Sequence, residues 1–482
     1  MKRLFAVILI VFLLCSVVGC KKDPKYVMSD YYVDEVIDGD DIDESNEVDS
    51  DKNSDNKSGE NPEKKPGKKP GKSNSVEMDK RTAQEKIFDS IKGSVIVNIG
   101  NPEEFQPFNK ELVKAFCDRY DVRMDWIPMG YNEYVQKLPQ MVAAGNPPDT
   151  CVMTDATSLS FIYGGLAQPL NNMIVPEDEY WDKDLLNSFK INGNYYAVNT
   201  GDINTFFIYY NKTLFDELSI EDPYTLYKQG KWTYAKLREI AKKATIYDKN
   251  DKTAVECYGI GTHDKSIFVL ANGGNFIEYD NNKNTYVSTV KSAATIAGLN
   301  FLRDLCADGS YNASVAGFTE FPSRKIAMFV ERPMNAIGNY DLYKKMKDEI
   351  GVVPFPQGPN AKELYAPSNF TANFVPTNAA NPKGGLAWGY FWLRYTQDAE
   401  KQKNSLYMEH LNKMMSPEHK KIIYDFLGKA KKVSCKVDSL TDFKNYDNEF
   451  WAHLVWNHKS AEEVSAAMDS IIKSSINKTV KR

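Results

Sequence analysis

The chain has 482 residues, with 60 Lys and Arg against 65 Asp and Glu, a formal net charge of −5, and 42% hydrophobic residues. This balance lacks the basic surplus of a nucleic-acid-binding surface, and the length exceeds one typical hydrophobic core. Seven cysteines without a CxxC spacing suggest neither a zinc site nor a dithiol redox motif, so no metal or cofactor is expected.

The chain opens with MKR, the apolar run LFAVILIVFLLC and SVVGC, the layout of a secretory signal. The run is too short, and its flanks too lopsided, for a membrane-spanning helix. Val17, Gly19 and Cys20 resemble a bacterial lipobox, where the signal is cut before the cysteine and lipid is attached to its thiol. An ordinary cleaved signal is the alternative. The lipobox reading makes residues 1–19 a signal peptide and Cys20 a lipidated (palmitoylated) anchor on the outer face of a cell membrane, with a Gram-positive bacterium as the expected source. Residues 20–92 read as a disordered polar linker. Residues 34–55 are crowded with Asp and Glu, and KKPGKKPGK follows at 64–72. With Val36, Ile37, Ile42 and Val48 the only aliphatic residues of the two stretches, neither has enough apolar content to bury. Roughly 70 flexible residues reach on the order of 45 Å.

From SVIVNIG (94–100) the pattern changes to alternating elements. NKELVKAFCDRY carries a helical apolar stripe, VRMDWIPM alternates as a strand, and YNEYVQKLPQMVAAG reads as a helix with a kink at Pro139. GNPPD stops that helix before the strand TCVMTD. Strand, helix, strand, helix, strand predicts a parallel sheet covered by helices, with ligand sites beyond the carboxyl ends of the strands. Further on, INTFFIYYNKTLFDELSI predicts a strand and a helix, and GKWTYAKLREIAKKA a helix capped by Thr233. VKSAATIAGLNFLRDLCADG is a helix with a glycine stop. KIAMFVERP, EIGVVPFPQGP and NFTANFVPT are strands, GGLAWGYFWLRYT is an apolar helix, and the tail is a series of amphipathic helices.

These landmarks, in this order, resemble the extracellular solute-binding proteins of ABC transporters, and most closely the sugar-binding family that includes maltose-binding protein. The resemblance rests on AAGNPPDTCVMTD with GGLAQPL, GNYYAVN, FFIYYNKTLFDELSI, GKWTYAKLREIAKKA, FVLANGG, FPSRKIAMFV, EIGVVPFPQG and NFVPTNAANPKGGLAWGYFWLRY. It implies an α/β, two-lobed periplasmic-binding-protein-like fold (type II) whose lobes close on a ligand by a hinge motion. It also implies discontinuous lobes, with residues 93–203 and 370–411 in the first and 204–369 and 412–482 in the second. Two or three segments would cross between them. The implied function is a lipid-anchored subunit of an ABC importer that hands a carbohydrate to permease subunits. The protein would act as a monomer and carry out no catalysis.

A sugar cleft needs polar side chains for hydroxyls and flat aromatics for ring faces. By the resemblance and the strand-end rule, Asp155 is the leading ligand contact with Thr154 beside it, although Asp155 also fits a helix cap. Asn204 opens the crossing strand, where a strand-cap role fits equally well. Asn101, Glu103, Glu104 and Phe105 follow the first strand, and the two glutamates also fit as solvated helix-start charges. His263 and Asp264 lie in the loop GTHDKS; a structural histidine is the alternative. Arg332 and Met334 follow the strand AMFV, and Arg332 could hold a carboxylate or simply pair with Glu331. The family's usual tryptophan in this stretch is missing. Asn369, Phe370 and Trp451 complete the set. Trp388 and Trp392, four apart on an apolar helix, read as core, Tyr209 and Tyr210 as hinge packing, and Trp181 and Trp232 are open. A surface glycoside hydrolase and a sensor or adhesin ectodomain are the rival readings. Against the first, no HExxH, GxSxG or phosphate-loop motif occurs.

Overall fold

The structure is a computed structural model describing residues 81–481 except 106, 200–203, 316, 334, 337–341 and 403–415. The signal sequence, Cys20, most of the linker and Met334 lie outside the described residues. All described residues but Gly130–Glu133 fall in one compact unit.

Order begins earlier than the expected linker boundary at residue 92. Helix α1 (Ala83–Ile87) is capped by Thr82, whose hydroxyl accepts from the Glu85 amide (3.2 Å) while the Glu85 carboxylate accepts from the Thr82 amide (3.1 Å). Phe88 and Ile91 then sink into the first hydrophobic core. The physical reason is a short apolar stripe, Ile87, Phe88 and Ile91, at helical spacing behind a polar linker.

In the first sheet, β1 (Val95–Ile99) and β2 (Arg123–Ile127) pair in parallel across helix α2 (Pro107–Tyr120). Helix α3 (Tyr131–Ala143) runs through Pro139 and stops at Gly145, which takes a φ of +70°. The Gly145 and Asn146 amides return to Val142 and Met141 oxygens, a glycine stop that satisfies the last carbonyls. Strand β3 (Cys151–Thr154) follows, joined to β1 by a parallel bridge between Asn98 and Thr150. The Asp149 carboxylate fixes this turn by accepting from the Val97 (2.8 Å) and Asn381 (2.6 Å) amides. Helix α4 (Asp155–Tyr163) starts directly after β3, and β4 (Ala197–Asn199) lies further along the chain.

The second sheet centres on β5 (Phe207–Asn211), all five of whose residues are buried, as its unbroken apolar run predicts. Helix α5 (Lys212–Glu217) is capped by Asn211, α6 (Tyr234–Ala244) by Thr233 and α7 (Ala293–Ala307) by Ser292. Strands β6 (Met328–Glu331) and β7 (Ile350–Pro354) flank β5, both antiparallel to it. Tyr209 and Tyr210, read as hinge packing, are interior residues of this sheet. Trp181 and Trp232 are also buried, their indole N–H groups on the Val175 and Pro354 carbonyls (2.9 Å each).

The chain then returns. Strand β8 (Tyr365–Pro367) leads to β9 (Thr371–Phe374), which inserts between β3 and β4, antiparallel to both. The first sheet is therefore mixed, because a strand coming back from the other sheet enters in the opposite direction. Helix α8 (Pro382–Gln402) covers the first sheet with Leu386, Trp388 and Phe391. Its glycine at 385 lies against the Asp149 carbonyl, which a Cβ there would meet at 1.9 Å. In the tail, α9 (Pro417–Leu427) precedes β10 (Lys431–Val433), which pairs in parallel with β8. Helix α10 (Lys444–Trp451) runs into a π turn (Ala452–Trp456), and α11 (Ala461–Val480) ends the fold.

Candidate functional site

The predicted residues fall into three groups. The first lies at the carboxyl ends of β1 and β2. Gly100, at φ +152°, lets the chain pass over Trp126, whose ring a Cβ would meet at 3.1 Å. Asn101 then caps a short turn (Pro102–Glu104), accepting from the Glu103 amide (3.3 Å) and donating to Glu104 Oε1 (2.6 Å). Phe105 meets Trp126 edge-on at 4.8 Å. Asn101, Glu103, Asp125 and Trp126 line an open groove of about 790 Å³. Trp126 was not singled out in the sequence, although its place at the end of an alternating strand marked it.

The second group is the junction between the sheets, where three segments cross. The Asn369 amide donates to the Asn204 carbonyl (3.0 Å), the Phe206 amide to Pro367 (2.8 Å) and the Ser368 amide to Val433 (2.8 Å). The hydroxyls of Thr205 and Ser368 add a bond of 2.8 Å. Asn204 and Asn369 thus sit side by side on two of these segments. The third segment, 433–436, had no signature beyond one lysine in the run VSCKVDS.

Asp155 lies at this junction and is only 3% exposed. One carboxylate oxygen accepts from the Phe370 amide (2.6 Å), the other from Ser434 Oγ (2.9 Å) and Lys436 Nζ (2.6 Å). The residue expected to receive hydroxyls from a ligand is held here by donors of its own chain. Thr154, its neighbour, caps α4, and its amide donates to Thr157 Oγ1 (3.1 Å). Burial pushes the Asp155 carboxyl upward, and the Lys436 ammonium pulls against that shift.

The third group crowns the second sheet. Gly261 and Phe329 bridge in parallel, so His263 emerges alongside Glu331 and Arg332. His263 stacks on Phe318 at 4.3 Å, and its Nε2 is buried with no hydrogen-bond partner among the described residues. Burial and the nearby Lys265 charge lower its pKa to about 4, so the ring is neutral at pH 7. Asp264 accepts from the amide (2.9 Å) and hydroxyl (2.5 Å) of Ser266 and shapes the loop. Lys265, not foreseen, is buried with its ammonium 5.6 Å over the Trp451 ring. That places Trp451, from α10, beside the GTHDKS loop. Arg332 is buried against Glu331 (Nε to Oε1, 3.3 Å) and lies 5.7 Å over Phe206. The Arg332–Glu331 pairing weighed from sequence is therefore present. No set of His, Cys, Asp and Glu among the described residues could hold a metal, and the five cysteines there are free thiols.

Residues 111–405 match the profile of a family described as the bacterial extracellular solute-binding proteins. The chain belongs to that family. Three solved structures show that this solute-binding chain has the family's fold of two α/β lobes. An ABC substrate-binding protein from Listeria monocytogenes in complex with cycloalternan is 16% identical, with a TM-score of 0.60 over 80% of this chain and 99% of that one. The GacH receptor of Streptomyces glaucescens, solved unliganded and with acarbose, is 19% identical, with a TM-score of 0.55 over 80% and 98%. UgpB from Mycobacterium tuberculosis, in complex with glycerophosphocholine, is 15% identical, with a TM-score of 0.58 over 80% and 99%. No curated protein sequence matches. Among the described residues no helix is long and apolar enough to cross a membrane.

Proposed function

We propose that this solute-binding protein captures a carbohydrate between its lobes and hands it to the permease subunits of an ABC importer, held at the outer membrane face by lipid on Cys20. In this reading residues 93–203 and 370–411 build the first lobe, and residues 204–369 and 412–482 the second. Asn101, Glu104 and Thr154 face the ligand from the first lobe. Asn204 and Asn369 floor the cleft, and His263, Asp264, Arg332, Met334 and Trp451 face it from the second. Asp155 acts by positioning these elements. The observation that carries the reading is the buried, unpartnered Nε2 of a neutral His263, in a loop whose Lys265 ammonium lies over the Trp451 ring. A buried polar atom without a partner costs free energy until a ligand group completes it. A neutral imidazole that can exchange one hydrogen bond with a hydroxyl, in a loop that also carries an indole contact, suits a sugar. Binding rather than hydrolysis is favoured because the buried carboxylates of Asp155 and Glu331 are both committed to cations of their own chain.

Titration of the purified protein with a panel of oligosaccharides tests this. A true ligand at a hundred times its Kd is expected to add about 2.7 kcal/mol of stability in a thermal shift. His263→Phe, which keeps the ring stack and loses the hydrogen bond, is expected to weaken that ligand about tenfold or more. No stabilising saccharide in the panel, or release of monosaccharide from one, rejects the reading. The anchor has its own check: a clickable fatty-acid analogue fed to the native host should label the wild-type chain and not Cys20→Ala. Label retained in that variant would dismiss the lipid assignment.

A further inference from the structure

We propose that Asp155 and Lys436 form a hinge pin that makes two of the three crossing segments move as part of the first lobe. The pin extends beyond the solute-binding reading, since it concerns how the lobes move whatever the ligand is. Asp155 is the first residue of α4 and so belongs to the first lobe's frame. Its amide donates to the Phe370 carbonyl (3.1 Å), and its carboxylate takes the Phe370 amide back (2.6 Å). The second crossing is therefore clamped on both sides of one peptide residue.

The same carboxylate holds the third crossing through Ser434 and Lys436. Lys436 also donates to Ser188 Oγ (2.5 Å) and lies 4.5 Å over the Phe189 ring, both from the first lobe. Two further contacts fasten this stretch. The Lys432 ammonium pairs with Asp182 (2.6 Å), and Ser439 Oγ accepts from the Leu159 amide of α4 (2.6 Å). Asp182 and Asp184 face Lys432 on this stretch, Asp184 accepting the Lys432 amide (2.8 Å), and Asp264 and Asp438 lie near Cys435 beside the pin.

The first crossing differs. Residues 204–206 are joined to the others by backbone bonds and by the Thr205–Ser368 hydroxyl pair, and neither Asp155 nor Lys436 bonds to them in the contacts described. Lys436 is 5% exposed and Phe370 1%, so the pin is sealed from water, where a charge pair cannot be traded for solvent contacts. Segments bolted in this way rotate with the lobe that holds them, and the bending is left to their second-lobe ends. Lys436 and Asp155 are positioning residues in this scheme.

The test is hydrogen exchange and small-angle X-ray scattering on the ligand-free full chain, so it does not depend on knowing the ligand. Lys436→Met is expected to speed exchange of the Phe370 and Leu159 amides about tenfold or more beyond any acceleration shared with the amides of β5, β6 and β7, and to enlarge the radius of gyration at a temperature where the variant is folded. Lys436→Arg, which keeps the charge, is expected to restore both. Unchanged exchange at Phe370, or equal acceleration in every strand, overturns the pin, because the first shows no clamp and the second shows only lost stability. Should Lys436→Met fail to fold, Ser434→Ala removes a single bond. It is expected to accelerate the Phe370 amide severalfold, and an unchanged rate there overturns the proposal equally.

Discussion

Arg394→Met is expected to destabilise the protein by about 3–5 kcal/mol, the usual cost of removing one partner from a buried ion network. Arg394 is 1% exposed and lies at the centre of that network. It pairs with Glu85, reaches Asp398 (Nε to Oδ2, 3.3 Å) and covers the Tyr180 ring at 5.1 Å. Glu85 also receives Arg119 (2.7 and 3.0 Å) and the Tyr120 hydroxyl (3.1 Å). Without Arg394, Glu85 keeps Arg119 and Asp398 loses its guanidinium partner, both carboxylates being buried (0% and 5% exposed). Chemical denaturation followed by tryptophan fluorescence reads the effect, because Trp181 and Trp388 sit in the same core. A loss below about 1 kcal/mol would show that the network carries no net energy.

The loss should also depend on pH. Burial alone would push the Glu85 carboxyl up, yet the hydrogen bond and charge of Arg119 and the charge of Arg394 hold it below its ordinary range. A carboxyl lowered in the folded state contributes stability that is complete above its unfolded pKa of about 4.3 and disappears as pH falls through the folded value. The gap between wild type and Arg394→Met should therefore be full at neutral pH and shrink below about pH 4.

Asp155→Asn and Lys436→Met are each expected to cost about 3–5 kcal/mol, and the double variant less than the sum of the two. Each single change strands one buried charge, whereas the double change leaves none. In Asp155→Asn, Lys436 is left on two serines and two ring faces. In Lys436→Met, Asp155 is left on one serine and one amide. Equilibrium unfolding of the four proteins gives the coupling energy directly, and strictly additive costs would show that the two groups do not act as a pair.

Much of the fold was legible because apolar spacing is local. The stripes of α2, α6 and α7, the buried run of β5 and the glycine stop at Gly145 each follow from a dozen residues or fewer. The cap Thr233 was equally readable, since N-caps lie next to what they cap. Direction in the first sheet was not: nothing inside NFTANFVPT says that it enters between two earlier strands. The arm at 83–91 was missed because three apolar side chains are too few to rise above a polar linker.

For the site, the strand-end rule pointed to Asn101, Glu104 and Asp155, and the family resemblance to the loop holding His263. The rule placed Asp155 correctly in the chain but could not anticipate that a lysine 281 residues later would occupy its carboxylate. Trp126 and Lys265 stood beside named candidates and became visible only through ring contacts that join distant segments.

The insertion of β9 between β3 and β4 has a consequence for how the chain is made. Until residue 374 leaves the ribosome, β3 and β4 each present an unpaired edge, and the first 200 residues cannot close their own sheet. The segment 433–436, needed to finish the junction, is made later still. The first sheet cannot be completed until the strands of the second have been made. Its final collapse then depends on contacts between residues far apart in sequence, the slow kind to form.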